Sequence, residues 1–566
     1  MDDRNTAIVI GQGAAGLAAA LALARQGVKV ISISKVRPGN ATCTVYAGGG
    51  FTLGVGGMSP EEHRAMTYDT GRRLSIPDLL DTFAYEAPSI VEFMQDAGVP
   101  LTVRRGGISV KRDPAFPLLG GKPLTDALAR ACLERGVSFV HNTAAMRLLL
   151  GVRGVEGVEC LNLTSGEASF VRAGAVVLAT GGAGALFYRT DNPQRITGDG
   201  YRLALEASCH LLDMEFVQFY PIGIDIPGGA HWFLDLGIID SARLTGPDGR
   251  EFLKEMLFRE GIESGREANL LARDKCTVEI ALESRKGPVL LHLEDIPREE
   301  WENNRYLASI GRMFPKSAPP WSGPVTVNPI EHYFPGGVAI GTSGQTEVPG
   351  LFACGEVTGG VDGANRVGGN ALTNCVLFGR KAGEAAARYL RGEGIDVLDL
   401  TKAGLSASKA EAVEKEAAAG GTPDTGMHLK REIPAAPALT AAAWIEKWRE
   451  AAEQAPPAGA RAASSPEGLR KSLREYSSKY LLPVRDGLSL EEGLERLEDL
   501  RGLLERQAVR SSRDLLFAVE NLGLWQTAAA VTVGALTRTE SRGAHFRTDC
   551  AGEDPRWEKH IYLSTK

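Results

Sequence analysis

The strongest constraint on this chain lies near its start. Thr6–Ile10 reads TAIVI, a continuous apolar run suited to a strand buried on both faces of a parallel sheet. Gly11-Gln12-Gly13-Ala14-Ala15-Gly16 follows at once, then a helical stretch Leu17–Gln26 and a second apolar run, Val28–Ser34. Strand, glycine turn, helix and strand within about thirty residues make a βαβ unit, and each glycine has a task in it. Gly11 permits the tight turn, Gly13 lets a pyrophosphate approach the backbone, and Gly16 lets helix and strand pack closely. Ala14 and Ala15 lie in this turn, and the phosphates sit on the N-terminus of the helix that follows. The spacing predicts a dinucleotide site. The second strand ends in Ser34-Lys35 rather than the Asp or Glu that would hold a ribose hydroxyl of NAD, which favours FAD.

Two further glycine-rich turns repeat the signal. Ala175–Thr180 (AVVLAT) is a second buried strand, closed by Gly181-Gly182-Ala183-Gly184. Val348–Val357 (VPGLFACGEV) is a turn, a short strand and a carboxylate at Glu356, and it leads through 362–372 into an Ala/Gly-rich helix over Gly379–Leu390. Ordinary βα turns explain any one of these. Three on strand ends suggest one long cofactor lying across a sheet. Glycine is 67 of 566 residues, about 12% against a usual share of about 7%, as close backbone approaches require.

Composition removes other classes. The net charge of −7, from 63 basic and 70 acidic residues, leaves no basic platform for nucleic acid. The eight cysteines never form a CxxC, which argues against an iron–sulfur cluster or structural zinc in this chain, so no metal ligand is expected. Scattered thiols and an N-terminus with no charged-then-apolar leader suggest a reduced, cytoplasmic setting. Apolar runs fall short of the roughly 18 residues that span a bilayer, so a soluble chain is expected.

The chain resembles the flavoprotein subunit of the succinate dehydrogenase/fumarate reductase family, whose relatives include L-aspartate oxidase. ISKVRPG (33–39), ATGGAGAL (179–186), TGDGYRLALEA (197–207), DMEFVQF (213–219), LLARD (270–274), HYFPGG (332–337), PGLFACGE (349–356), GANRVGGNAL (363–372) and ESRGAHFRTD (540–549) carry the resemblance, in the family's order. It implies an α/β fold: a Rossmann-like FAD-binding domain (1–215 and 323–400) interrupted by an α+β capping domain (216–322). A C-terminal helical domain (466–566) follows. Residues 401–465, rich in Ala, Glu, Gly, Pro and Ser, read as linker, with apolar periodicity only around Leu439–Trp448. Leu490, Leu494, Leu497, Leu500 and Leu503 mark an amphipathic helix further on.

The implied chemistry is hydride transfer between flavin N5 and one carbon of an activated C=C, with a proton moving at the other. The neighbouring carbonyl or carboxylate takes up negative charge, so cations must bind it and an acid must deliver the proton. By resemblance that acid is Arg273, while His332 and Arg366 clamp a substrate carboxylate, a role suited to the guanidinium fork. The resemblance also assigns flavin contacts to Ser34, Lys35, Cys43, Thr44, Gly49, Gly50 and Ala145, besides Thr180, Gly181 and Asp199. Glu356, Arg366, Asn370, Ala371 and Leu372 complete that set, Glu356 holding a ribose of FAD.

The chain departs from the family in four places. Cys43 stands where covalent members carry the flavin-linking histidine, so non-covalent FAD is expected, with a cysteinyl thioether as the other chemical option. Tyr220 replaces a histidine that helps bind the dicarboxylate, and it donates one hydrogen bond without carrying charge. Leu234, Asp235 and Ile238 align with the Thr, Glu and Arg of a proton relay; Asp235 keeps a carboxylate there, and His231 or Arg243 are candidates for the missing cation. Ala371 replaces a serine near the flavin. The carboxylate clamp looks intact and the far end less polar, which points to fumarate/succinate or to a modified, bulkier enoate or acyl thioester. An amino-dicarboxylate oxidase is a further option. An iron–sulfur subunit is the partner the resemblance implies, with membrane association only through such partners. The rival reading is a flavin-holding electron-transfer subunit whose own substrate site has decayed.

Overall fold

The computed structural model describes residues 5–226, 230–400, 428–454, 465–550 and 552–565. A five-stranded parallel sheet lies at its centre, in spatial order Leu351–Ala353, Ala175–Leu178, Thr6–Ile10, Lys29–Ile33 and Ser138–Val140. Every residue of the middle strand is buried, as a strand covered on both faces should be. The first helix runs over Ala14–Arg25 and so starts earlier than the expected Leu17, because the Ala14 amide donates to Thr44 Oγ1 at 3.0 Å. Gly11 has φ of +113°, and a Cβ there would lie 2.0 Å from the Ala179 carbonyl oxygen. A Cβ on Gly16 would lie 2.1 Å from the Gly11 carbonyl oxygen. Strand, turn and helix therefore meet at a distance that no other residue permits.

A second helix, Asn370–Leu390, lies against the first. Gly379 and Gly383 sit one turn apart on it, and a Cβ on either would be 2.4 Å from the carbonyl oxygens of Ala15 and Ala19 respectively. This helix begins well before the expected Gly379. Gly369 turns the chain with φ of +89°, and Asn370 is buried, donating to Thr67 Oγ1 at 3.0 Å. Thr52 Oγ1 donates to the Gly368 carbonyl at 2.7 Å, which fixes the end of the loop at 362–369 where this helix begins.

A second hydrophobic core gathers apolar side chains between Ile222 and Val327. The strand Gln218–Ile226 leads into it and pairs antiparallel with both Ala230–Phe233 and Val325–Tyr333. The helix Arg273–Ser284 is tied to that strand by Thr277 Oγ1, which donates to the Phe219 carbonyl at 3.1 Å. Helices Pro466–Tyr480, Gly487–Leu504 and Ser512–Thr537 pack together further along the chain. Among the described residues no helix is long and apolar enough to cross a membrane.

Of the stretch expected to be linker, 401–427 and 455–464 lie outside the described residues. The part between is not linker. Leu429–Ile433 pairs in parallel with Ile561–Thr565, and the helix Ala441–Glu453 buries Trp444 and Trp448. Two tryptophans at i, i+4 share one helix face, and their burial outweighs the Ala/Glu-rich composition around them.

Gly379→Val places a branched side chain against the Ala15 carbonyl. It is expected to cost about 1–3 kcal/mol in denaturant unfolding and to lower the FAD retained on purification, both measured against the native chain.

Candidate active site

Two clefts adjoin along the edge of the parallel sheet, spanning about 860 and 850 Å³ of space that is continuous with solvent. Gly11, Gly13, Ala14, Ala15, Ser34, Lys35, Ala145, Thr180, Gly181 and Asp199 line the first. Gly50, His332, Arg366, Ala371 and Leu372 line the second, and Cys43, Thr44 and Glu356 line both. The three separated glycine turns thus meet in one trough. Gly16, Gly49 and Asn370 line neither cavity and act behind the wall. Gly16 brings helix to strand, a Cβ on Gly49 would lie 2.6 Å from the Gly120 carbonyl, and Asn370 Oδ1 faces His63 Nε2 at 3.1 Å.

The first cavity has the features an extended dinucleotide needs. The N-terminus of Ala14–Arg25 opens into it, and Thr180 keeps a buried Oγ1 with no hydrogen-bond partner among the described residues. A Cβ on Gly182 would lie 2.6 Å from the Glu356 carboxylate, so only glycine leaves that group its place. Lys35 is held by Asp199 at 2.7 Å and by buried Glu520 at 3.1 Å. These residues fit FAD. Burial raises Glu356 to about 7, against the lowering effects of the Phe334 amide, the Arg366 charge and the Gly182 amide. Cys43 Sγ donates to Asn192 Oδ1 at 2.5 Å, and burial and nearby Glu356 push its thiol well up.

At the second cavity the antiparallel strands bring Tyr220 beside His332, their ring centroids 5.6 Å apart. His332 Nδ1 lies 2.6 Å from Asp191 Oδ2, and its Nε2 makes no hydrogen bond among the described residues. A carboxylate at Nδ1 sets the proton there and leaves Nε2 for a ligand. Arg366 is buried, its guanidinium stacked 4.4 Å over the Tyr333 ring, and its Nε has no partner among the described residues. Gln218 Nε2 fixes this loop by donating to Asn365 Oδ1 at 2.7 Å and to the Arg366 carbonyl at 3.0 Å.

Arg273, Tyr220 and Asp235 stand just behind that cavity. A Cβ on Gly368 would lie 3.1 Å from Arg273 Nη2, and the Arg273 guanidinium sits 5.1 Å from the Tyr220 ring centroid. Its Nε donates to Asn269 Oδ1 at 3.1 Å, and Asn269 Nδ2 donates to Asp235 Oδ2 at 3.0 Å. The Tyr220 hydroxyl donates to Asn269 Oδ1 at 2.9 Å. Burial lowers the pKa of Arg273 from the ordinary guanidinium value; Tyr220 opposes this and the Arg366 charge adds to it.

Neither expected stand-in for the missing cation is here. His231 is bonded to Asp225 at 2.8 Å, and Arg243 is exposed and paired with Asp295 at 2.8 Å. Each already has a carboxylate of its own, which is why neither turns toward Arg273. Asp191, Asn192, Asn269, Trp232, Phe233 and Tyr333 belong to the site and were missed from sequence. Buried Glu331 holds the turn bearing two of them, accepting from Thr190 Oγ1 at 2.5 Å and Asn192 Nδ2 at 3.3 Å.

Residues 6–372 match the family model described as an FAD binding domain, and 470–566 match the fumarate reductase flavoprotein C-terminal model. The chain belongs to the fumarate reductase/succinate dehydrogenase flavoprotein-subunit family. It is an FAD-dependent oxidoreductase of that family. The chain is 28% identical to a fumarate reductase (CoM/CoB) subunit from Methanothermobacter marburgensis, over 99% of this chain and 97% of that one. L-Aspartate oxidase of Streptomyces coelicolor is 30% identical over 98% of this chain and 90% of its own length. Among solved structures, a variant of E. coli quinol fumarate reductase FrdA superposes with a TM-score of 0.78 at 25% identity. That match covers 98% of this chain and 94% of the other.

Glu356 generates a pH prediction. Its folded pKa of about 7 lies above the ordinary 4.5, so the stability it contributes is complete below about pH 4.5 and lost as pH rises through about 7. Between pH 5.5 and 7.5 the flavin-free protein should lose about 2 kcal/mol through this group. Urea unfolding of Glu356→Gln at the two pH values should show that much less pH dependence than the native chain.

Proposed function

We propose that this flavoprotein reduces an activated C=C bond next to a carboxylate or carbonyl, or runs the reverse oxidation, with Arg273 as the proton donor. Bound FAD supplies the hydride-transferring, two-electron group. Arg366 and His332 hold the substrate carboxylate, the guanidinium by its unpartnered Nε and the imidazole by Nε2. Negative charge that develops on that carboxylate is stabilised by groups already oriented and desolvated.

The observation that carries the reading is the setting of Arg273. A guanidinium is a poor acid in water, and here burial and the neighbouring Arg366 charge both make its proton easier to give up. It carries no ion pair of its own among the described residues, and Asn269 fixes it relative to Asp235, an exposed carboxyl. In this reading Asp235 is where the proton is replaced from solvent. Residues 216–322 act as the cap over the substrate, and 1–215 with 323–400 hold the flavin. The two electrons pass to or from an iron–sulfur subunit in a cytoplasmic assembly, consistent with relatives that are themselves named as subunits.

Arg273→Gln should retain FAD with an unchanged visible spectrum. Reoxidation of its reduced flavin by an enoate should fall by about 10²–10⁴ in anaerobic stopped-flow. Unchanged rates would remove Arg273 from the chemistry and assign the proton to another donor; a native chain whose reduced flavin no enoate reoxidises would be a flavin-holding electron-transfer subunit.

A further inference from the structure

We infer that the site takes a monocarboxylic enoate whose far end is flat and apolar, such as an aryl group, and not a dicarboxylate. This rests on the reading of the site as one acting on a C=C bond beside a carboxylate. The argument begins with charge. Among the described residues lining the second cavity, Arg366 is the one permanent cation and His332 the one side chain able to become a cation. Both belong to the same clamp. A second carboxylate would need its own counter-charge there, because desolvating an unpaired carboxylate is costly. Asp191, which also lines the cavity, is a carboxylate and offers a second carboxylate no counter-charge.

Arg273, behind the cavity, is the proton donor in this reading and is held by Asn269; the other nearby cations are engaged elsewhere. Arg112 donates to the carbonyls of Gly48 and Pro117, and Arg104 to that of Phe51. Arg189 is paired with Asp225 at 2.6 Å. Tyr220 could have supplied a donor, but its hydroxyl is turned away, donating to Asn269 Oδ1 and accepting from the Leu236 amide. It shows the His332 side its ring and not its oxygen.

What the cavity offers instead is aromatic surface. The Phe233 ring lies 4.8 Å from Tyr220 and 5.6 Å from His332, and Trp232 stacks on Phe233 at 5.8 Å with 19° between planes. Trp232 and Phe233 both line the cavity, are only partly buried, and form a continuous wall leading outward from the clamp. A flat, apolar substituent on the carbon remote from the carboxylate would cover this wall and gain offset or edge contacts with it. A second carboxylate would gain nothing there.

The test uses the FAD-loaded protein, reduced anaerobically and mixed separately with 3-phenylacrylate, crotonate and fumarate while flavin absorbance is followed. Calorimetry gives the affinities of the saturated acids 3-phenylpropionate, butyrate and succinate for the oxidised protein. We expect 3-phenylacrylate to exceed both other enoates by about tenfold or more in kcat/KM, and 3-phenylpropionate to bind tightest. Trp232→Ala and Phe233→Leu, each checked for native FAD content, should lower the 3-phenylacrylate-to-crotonate ratio by about tenfold. Fumarate reacting as fast as 3-phenylacrylate, or crotonate equalling it, overturns the inference and leaves the C=C chemistry standing. No reoxidation by any enoate, with oxygen still oxidising the flavin, overturns the C=C chemistry itself. In that case tighter binding of 3-phenylpropionate than of succinate still upholds the aromatic pocket, and the reverse order rejects it.

Discussion

The arrangement of this molecule depends on one close contact between two helices. Gly379 and Gly383 let the backbone of Asn370–Leu390 approach the carbonyls of Ala15 and Ala19, closer than any side chain allows. The first helix begins at the turn that opens the flavin cavity, and the second begins directly after the loop that carries Arg366. Seating one on the other therefore fixes the distance between phosphate-receiving turn and carboxylate clamp. Interiors packed to crystal density transmit such constraints with little slack. A site assembled from residues more than 300 positions apart acquires its precision in this way.

Electrostatics does the rest by withholding partners. Arg273 and Arg366 are buried near each other, and neither has an ion pair among the described residues. Some buried arginines elsewhere are compensated by carboxylates: Arg538 meets Glu215 at 2.6 Å and Glu540 at 3.1 Å, and Arg542 meets Glu540 at 2.7 Å. Buried Arg485 is held by backbone carbonyls instead, donating to that of Glu215 at 2.8 Å. What sets Arg273 and Arg366 apart is that they lie near each other, beside the cavity where an anion is due. Burying an unpaired charge costs stability, and active sites are where such a cost is retained.

Legibility from sequence followed the same physical lines. The glycine turns were readable because a backbone that must approach something closely leaves few residue choices, and all three turns meet at the cavities. Arg273, His332 and Arg366 came from resemblance; no spacing in the chain announces that they converge. Asp191 and Asn269 were invisible because their roles are side-chain bonds: His332 is 141 positions from Asp191, and Asn269 sits in an unremarkable helical turn. His231 and Arg243 looked plausible as cations only until their own carboxylates were seen. The apolar periodicity around Leu439–Trp448 was legible, but the Ala/Glu-rich composition on either side of it placed the whole stretch in a linker, and the strand at Leu429–Ile433 gave no signal.

The strand Ile561–Thr565 lies between Leu211–Leu212 and Leu429–Ile433 in a four-stranded sheet. Its Ile561 amide donates to Asp213 Oδ1, 348 positions away, at 2.9 Å. Loop closure over such separations is entropically slow. The flavin-binding half of the molecule is thus expected to remain an unfinished intermediate until residues from the opposite end of the chain arrive. The sheet's final register is then a late event in folding, and the aromatic and apolar surfaces beneath it need protection from association during that interval.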